Sequence, residues 1–241
     1  MQHNAKTSTR QKLMISNIIN SLVSPKEVFG SFSPTSGKSY SEILVVILAV
    51  ITSYIILYWQ IDPSDIKKLI IEDSIDQNSS IDEIRIVSDV ADNIVNFVGI
   101  FTGLSQALIL FLKIIFITTC LYIFVKKLRW KGETSFRQFL SVVITAHMPY
   151  LIYSLGLIGI SVLAGDGQLS VDTPEYSNIG HLFLSSDISF YSWIGLISIF
   201  DFWVVSLLVI FLSEYFLKSI LKCILISLFP FILIYTMMFF F

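Results

Sequence analysis

The chain has 241 residues, of which 54% are hydrophobic and 14% charged, and its formal net charge is −2. The mean hydropathy of the chain is +0.77. A soluble domain of this length could not bury so many apolar side chains in its core. The composition therefore indicates an integral membrane protein. It also argues against nucleic-acid binding, because the basic residues form only short clusters.

Residues 1–42 are polar and predict a cytoplasmic N-terminal segment. Apolar side chains between Gln11 and Val23 recur on one helical face, whereas Lys12 and Asn17 lie on the opposite face. This stretch is too short to cross a bilayer and predicts an amphipathic helix on the membrane surface. Because the segment has no apolar signal-peptide core, we expect the first apolar stretch to act as an uncleaved signal anchor.

Residues 43–241 predict one all-α membrane domain, because five long apolar stretches follow one another there. Each stretch reaches or approaches the ~20 residues that a helix needs to cross ~30 Å of hydrocarbon. Gly99 and Gly103 lie just before the second stretch, where they could allow close helix contact or belong to a mobile entry segment. The predicted transmembrane helices are residues 43–59, 104–125, 140–164, 191–212 and 223–241.

The lysines and arginines between the apolar stretches predict the orientation of the bundle. Segments with more basic residues alternate with segments that have fewer, and the positive-inside rule places the richer segments in the cytoplasm. The N-terminus is then cytoplasmic, and five crossings leave the C-terminus outside. The counts are five, three, five, none and two in residues 1–42, 60–103, 126–139, 165–190 and 213–222.

Two charged residues, Lys113 and Asp201, fall inside apolar stretches and need a partner or a water-filled cavity. Lys113 is about 18 Å from the inner end of its helix and Asp201 about 18–24 Å from the inner end of its own, so an ion pair is feasible. The pair could fix two helices or belong to an ion or proton path. Alternatively, Asp201 lies at the outer boundary and Lys113 faces a polar pocket.

Three further residues in the apolar stretches are candidates for a special role. His147 is either a hydrogen-bonded core residue or part of a proton relay. Pro149 and Pro230 are candidate helix kinks, because proline removes a backbone hydrogen bond. No histidine has metal-ligand spacing, and no nucleophile or dinucleotide motif occurs. We therefore predict no catalytic, metal or cofactor-binding residues and no enzymatic activity.

The loop Lys126–Arg137 carries five basic residues in twelve, with a tryptophan near its middle. Two flanking helices would hold this loop at the cytoplasmic membrane surface. It could be a contact surface for another protein, or its charge could serve only to orient the chain. The candidate contact residues are Arg129, Trp130, Lys131 and Arg137.

The stretch Lys126–Leu151 resembles the YIP-type (Ypt/Rab-interacting protein) domain family. That family shows a basic loop, a glycine, a Ser-x-Arg element and then a span rich in small residues with a proline. Leu22–Phe29 and Phe200–Trp203 also fit the family pattern. The matching positions in the first stretch are Gly132, Ser135, Phe136, Arg137, Ala146 and Pro149.

The resemblance implies a five-span, non-enzymatic accessory or scaffold protein that acts through other integral membrane proteins. The chain lacks the DLYGP-type motif of eukaryotic relatives, which disfavours a Rab-type GTPase as partner and favours the prokaryotic branch. Some prokaryotic relatives accompany ABC-type exporters, so we expect a multi-pass protein of the cell membrane whose partners are lipid and possible exporter subunits. The alternative is a small secondary transporter or channel-like protein, which requires Lys113, Asp201 and His147 to line one connected cavity.

Overall fold

The computed structural model describes residues 24, 39–75, 80–130, 134–164, 169–178 and 197–240. The predicted surface helix at residues 11–23 lies outside the described residues, as do Lys131 and Gly132. The described chain is helical, and its only extended pairing is an antiparallel bridge between Asn178 and Ser198.

The described residues form eight α-helices and two short 3-10 helices, joined by turns and loops. The 3-10 helices are Val95–Phe97 and Thr173–Ser177. The α-helices are α1 (Ser39–Gln60), α2 (Pro63–Ser74), α3 (Ile81–Ile94), α4 (Val98–Lys127), α5 (Phe136–Ala146), α6 (Pro149–Leu163), α7 (Ile199–Phe216) and α8 (Ile220–Phe240).

Five helical stretches are long and apolar enough to cross a membrane, which confirms the predicted five-span, all-α class. The first, fourth and fifth are α1, α7 and α8. The second crossing is α4, which α3 precedes almost without a break, and the third is formed by α5 and α6 together. The predicted start of the fourth crossing at Tyr191 lies outside the described residues, and α7 begins at Ile199.

Side chains cap several of these helices. Asp62 caps α2 by accepting a hydrogen bond from the Ser64 N–H at 2.8 Å, and hydrogen bonds from Ser64 hold the pKa of the Asp62 carboxyl below its ordinary value. Ser135 and Gln138 form a capping box at the start of α5, so each side chain accepts from the other's backbone N–H. The Ser-x-Arg element of the resemblance therefore begins a helix.

The third crossing is interrupted in its middle. α5 ends at Ala146, His147 and Met148 form a turn, and Pro149 is the first residue of α6. Proline suits this first position because its missing N–H has no partner there. Pro230, by contrast, lies inside α8, which runs without interruption from Ile220 to Phe240.

α1 and α4 pack tightly because two glycines face α1. A Cβ atom on Gly99 would lie 2.7 Å from the Cβ of Tyr58, and one on Gly103 would lie 2.9 Å from the carbonyl oxygen of Ile51. Gly156 and Gly159 in α6 differ, because a Cβ on either would meet nothing within 4 Å. The first two glycines thus permit a backbone approach that any side chain would prevent.

We expect Gly103→Ala to destabilise the bundle by about 1–3 kcal/mol, because the new methyl group would press on the backbone of α1 rather than on a flexible side chain. Gly159→Ala is the matched control and should leave stability nearly unchanged. Thermal unfolding of the purified proteins in detergent measures both. Equal stability of the two variants would show that α1 and α4 do not pack as described.

The orientation of the bundle remains a prediction from the basic counts. In a variant without Cys120 and Cys223, we expect an impermeant maleimide to label Asp172→Cys in intact cells. Gly132→Cys should react only after permeabilisation, because the positive-inside rule places that loop in the cytoplasm. Labelling of position 132 in intact cells would overturn the orientation.

Candidate functional site

A buried ion pair joins α4 to α7 in the interior of the bundle. The Nζ of Lys113, at the middle of α4, donates to the Oδ1 of Asp201, in the first turn of α7. The side chains are only 10% and 4% exposed. The two charges that the sequence places at overlapping depths are therefore direct partners.

Two tyrosines from other helices complete this group. The Tyr150 hydroxyl of α6 donates to Asp201 Oδ1 at 2.6 Å, and the Tyr235 hydroxyl of α8 donates to Asp201 Oδ2. Lys113 donates in turn to the Tyr235 hydroxyl at 3.0 Å and to the Tyr150 hydroxyl at 3.3 Å. An ammonium group has three protons, and all three are bonded here. We call Lys113, Tyr150, Asp201 and Tyr235 the polar cluster.

Asp201 also caps its own helix. The Ser198 N–H donates to Asp201 Oδ2 at 3.2 Å, while the Ser198 hydroxyl accepts from the Phe200 N–H at 3.3 Å. The N-terminus of a helix carries partial positive charge, which further stabilises a carboxylate there. Asp201 thus lies at the start of its helix, yet it is buried rather than exposed to solvent.

His147 lies behind the polar cluster and is not part of it. Its Nδ1 is 2.7 Å from the Val143 carbonyl oxygen, and its ring stacks on Tyr150 with centroids 5.9 Å apart. The residue is fully buried, and its Nε2 has no hydrogen-bond partner within the described part of the chain. His147 therefore packs against Tyr150 and bonds neither Lys113 nor Asp201.

A cavity of about 690 Å³ lies beside the polar cluster, and all four cluster residues line it. Its wall also includes Tyr54 of α1 and Tyr153 of α6, whose hydroxyl oxygens are 3.3 Å apart. The Tyr153 hydroxyl also lies 3.4 Å from the Pro174 carbonyl oxygen, to which it donates. His147 is absent from the described lining, so the three residues of the predicted path do not share this cavity.

The described part of the loop Lys126–Arg137 lies at the C-terminal end of α4, away from the cavity. Arg129, two residues after the end of α4, has a left-handed backbone conformation with φ of 50°, and its side chain is exposed. Trp130 packs on Phe216 with ring centroids 5.3 Å apart, and the Lys218 ammonium lies 5.8 Å from its ring. Arg137 is exposed in the first turn of α5. Trp130 thus ties the loop to the end of α7.

Sequence reasoning missed the two tyrosines of the polar cluster, since a tyrosine in an apolar helix carries no distinctive signal. Ser198 could have been found, because a serine three residues before an aspartate is a helix-start pattern. The described residues contain no group of three or more His, Cys, Asp or Glu side chains that could hold a metal ion.

The pairing predicts strong energetic coupling. Lys113→Met should destabilise the protein by about 3–5 kcal/mol, because it leaves a carboxylate buried without its counter-charge. Adding Asp201→Asn should recover part of this loss, so the double variant should be more stable than Lys113→Met alone. Unfolding in detergent of Lys113→Met, Asp201→Asn and the double variant measures the coupling, and additive losses would reject the pairing. Lys67→Met breaks the exposed ion pair with Asp92 and should cost less than about 1 kcal/mol.

Comparison with known proteins agrees with the architecture. The model of the Yip1 domain family matches residues 19–241, which is most of the chain and includes all five apolar crossings. No curated protein and no solved structure matches it. The match confirms the predicted resemblance to this family, and the chain belongs to the Yip1 domain family.

Proposed function

We propose that the protein is a non-enzymatic accessory or scaffold subunit that acts through other integral membrane proteins. Its family and its five apolar crossings fit an accessory role in a membrane. The observation that carries the proposal is the internal saturation of the polar cluster. The three ammonium protons of Lys113 and both carboxylate oxygens of Asp201 are bonded within the protein.

A saturated cluster supports a structural role because it has no spare group for a cargo. Binding an ion at Asp201 would require the loss of bonds from Lys113, Tyr150 or Tyr235, and such a loss is costly for a carboxylate that is only 4% exposed. The cluster joins four helices, α4, α6, α7 and α8, and so fixes their relative positions. A rigid bundle of this kind suits a protein that acts by binding other membrane proteins.

The second candidate function is a small secondary transporter or channel-like protein. The cavity favours it, since Lys113 and Asp201 both line a space of about 690 Å³. The position of His147 weighs against it, because this residue lies behind Tyr150 and outside the described lining. A proton path through all three residues would therefore require Tyr150 to move.

For the partner, we propose a subunit of an ABC-type exporter in a prokaryotic cell membrane, contacted through the loop Lys126–Arg137. Arg129 and Arg137 are exposed, and the packing of Trp130 against Phe216 holds the loop beside α7. The guanidinium groups suit a carboxylate or phosphate group on the partner, since arginine binds either with two parallel hydrogen bonds. A Rab-type GTPase is disfavoured, because the DLYGP-type motif is absent from the sequence.

Affinity purification in mild detergent, followed by identification of the co-purifying proteins, tests the role. We expect an integral membrane protein to be recovered with this chain. Recovery of the chain alone, together with substrate flux into proteoliposomes that contain only this protein, would favour the transporter instead.

A separate prediction concerns the proposed contact surface, the loop Lys126–Arg137. The Arg129→Lys, Arg137→Lys double variant keeps every charge and should keep its topology, yet it should recover about tenfold less partner if the guanidinium groups bind it. Arg85→Lys is the matched control, because Arg85 is exposed on α3, outside the loop. Unchanged recovery with the double variant would mean that the loop serves only to orient the chain.

A further inference from the structure

We propose that an exposed apolar face of α3 is the docking surface for a basic amphipathic helix of a partner protein. This surface, which we call the α3 face, consists of Ile86, Val90 and Ile94 of α3 and Phe97 of the following 3-10 helix. It lies beyond the N-terminal end of α4, whereas the loop Lys126–Arg137 lies at the C-terminal end. The proposal does not rest on the partner proposed for that loop.

The four side chains of the α3 face form one row along the helix. They follow one another at intervals of four, four and three residues, which is the spacing of a single helical face. In chain order they are 62%, 50%, 37% and 53% exposed. A continuous row of exposed, large apolar side chains marks an interaction surface, whereas single exposed ones do not.

α2 packs against a different side of α3. Ala91 is fully buried, and Asp92 forms an ion pair with Lys67 of α2 at 2.7 Å, so these two residues mark the side of α3 that α2 covers. Successive residues of a helix differ by about 100° in direction, which puts this side well away from the α3 face. The hairpin of α2 and α3 therefore leaves the α3 face open.

The hydrocarbon of the bilayer is too thin to reach the α3 face. α3, the 3-10 turn and α4 form one helical run of 47 residues, and the backbone is right-handed helical on both sides of the turn. Such a run is about 70 Å long, more than twice the ~30 Å of hydrocarbon. Gly99 packs on Tyr58, two residues before α1 ends at Gln60, so α3 extends past the end of the first crossing.

Acidic side chains border the α3 face and select a basic partner. α3 carries four acidic side chains and one basic side chain. Asp82 and Asp89 lie on the border beside Ile86, within about 60° of it around the helix. Both are exposed, and within the described residues neither carboxylate has a hydrogen bond or an ion pair. Lysines or arginines along the edge of a docking helix would meet these carboxylates.

The shape of the α3 face fits a helix, and its charge disfavours a second copy of this chain. The row from Ile86 to Phe97 is about 16 Å long, which an amphipathic helix of three to four turns covers with its own apolar face. Two copies that paired through this surface would bring their acidic borders together, and like charges at an interface are costly.

The test uses the full-length protein in phosphatidylcholine nanodiscs and a peptide of about 14 residues, with leucines on one helical face and lysines on the other. One leucine is replaced by photoreactive leucine. We expect cross-links within residues 86–97 and binding about tenfold tighter than that of a peptide with glutamine in place of lysine. Empty nanodiscs correct for binding to lipid. Cross-links spread over the transmembrane helices, or equal binding by a peptide with glutamate in place of lysine, would overturn the proposal.

Two isoleucines of α3 provide a matched pair of variants. Ile86 belongs to the α3 face, whereas Ile81, which is 85% exposed, lies on the opposite side of the helix. Ile86→Ser should weaken binding of the lysine peptide about tenfold, because one large apolar contact is lost. Ile81→Ser should leave binding unchanged. The same affinity in both variants would contradict the docking surface.

The acidic border is tested separately from the apolar row. The Asp82→Asn, Asp89→Asn double variant should bind the lysine peptide about fivefold more weakly and the glutamine peptide as before, because only lysine loses its charge partners. Equal effects on both peptides, or an effect on neither, would contradict the selection of a basic partner.

A spin label at Val90→Cys, in a variant without Cys120 and Cys223, distinguishes the other possible occupants. Without peptide, we expect the label to be more accessible to a water-soluble nickel complex than to oxygen, and the lysine peptide should reduce this accessibility. Greater accessibility to oxygen would mean that the bilayer covers the α3 face. Broadening between the labels of two copies in one nanodisc would mean that a second copy covers it, and either result would overturn the proposal.

Discussion

The buried carboxylate of Asp201 is the group on which the arrangement of the bundle depends. It accepts hydrogen bonds from Lys113, Tyr150 and Tyr235, which lie on three other helices, and from the backbone of Ser198. A carboxylate in an apolar bundle is tolerated only when its charge and lone pairs are satisfied. Most other contacts between α4, α6, α7 and α8 are apolar, and apolar helices can slide past one another at little cost. The polar cluster specifies one relative position for all four.

The same contact sets the position of α7 along α4. Lys113 is at the middle of α4, whereas Asp201 is in the first turn of α7, so α7 begins at about half the height of α4. From there α7 runs toward the basic loop, where Phe216 meets Trp130. The cavity lies on the other side of Asp201, and its described lining includes Glu175 and Asn178.

Hydropathy was enough to predict five crossings, and counting residues from the helix ends was enough to predict that Lys113 and Asp201 could meet. Neither method could identify Tyr150 and Tyr235, because these helices are apolar on nearly every side and their sequence does not say which face is inside. The position of His147 could not be predicted from the sequence either. It depends on the turn at His147 and Met148, which divides the single predicted helix into α5 and α6. The glycines of α4 were recognisable as a motif, but the partner, α1, was not.

The two ends of the bundle are chemically distinct. The loop end carries exposed arginines and a tryptophan packed on α7, which suits contact with an acidic or phosphorylated group. The cavity end carries tyrosines, Glu175 and a lysine whose three protons are bonded within the polar cluster. The polar cluster lies between them, and its ammonium and hydroxyl protons are all bonded within it. A protein that used Lys113 and Asp201 to carry an ion would have to break this cluster on each cycle, whereas one that binds a partner at its loop end keeps it intact.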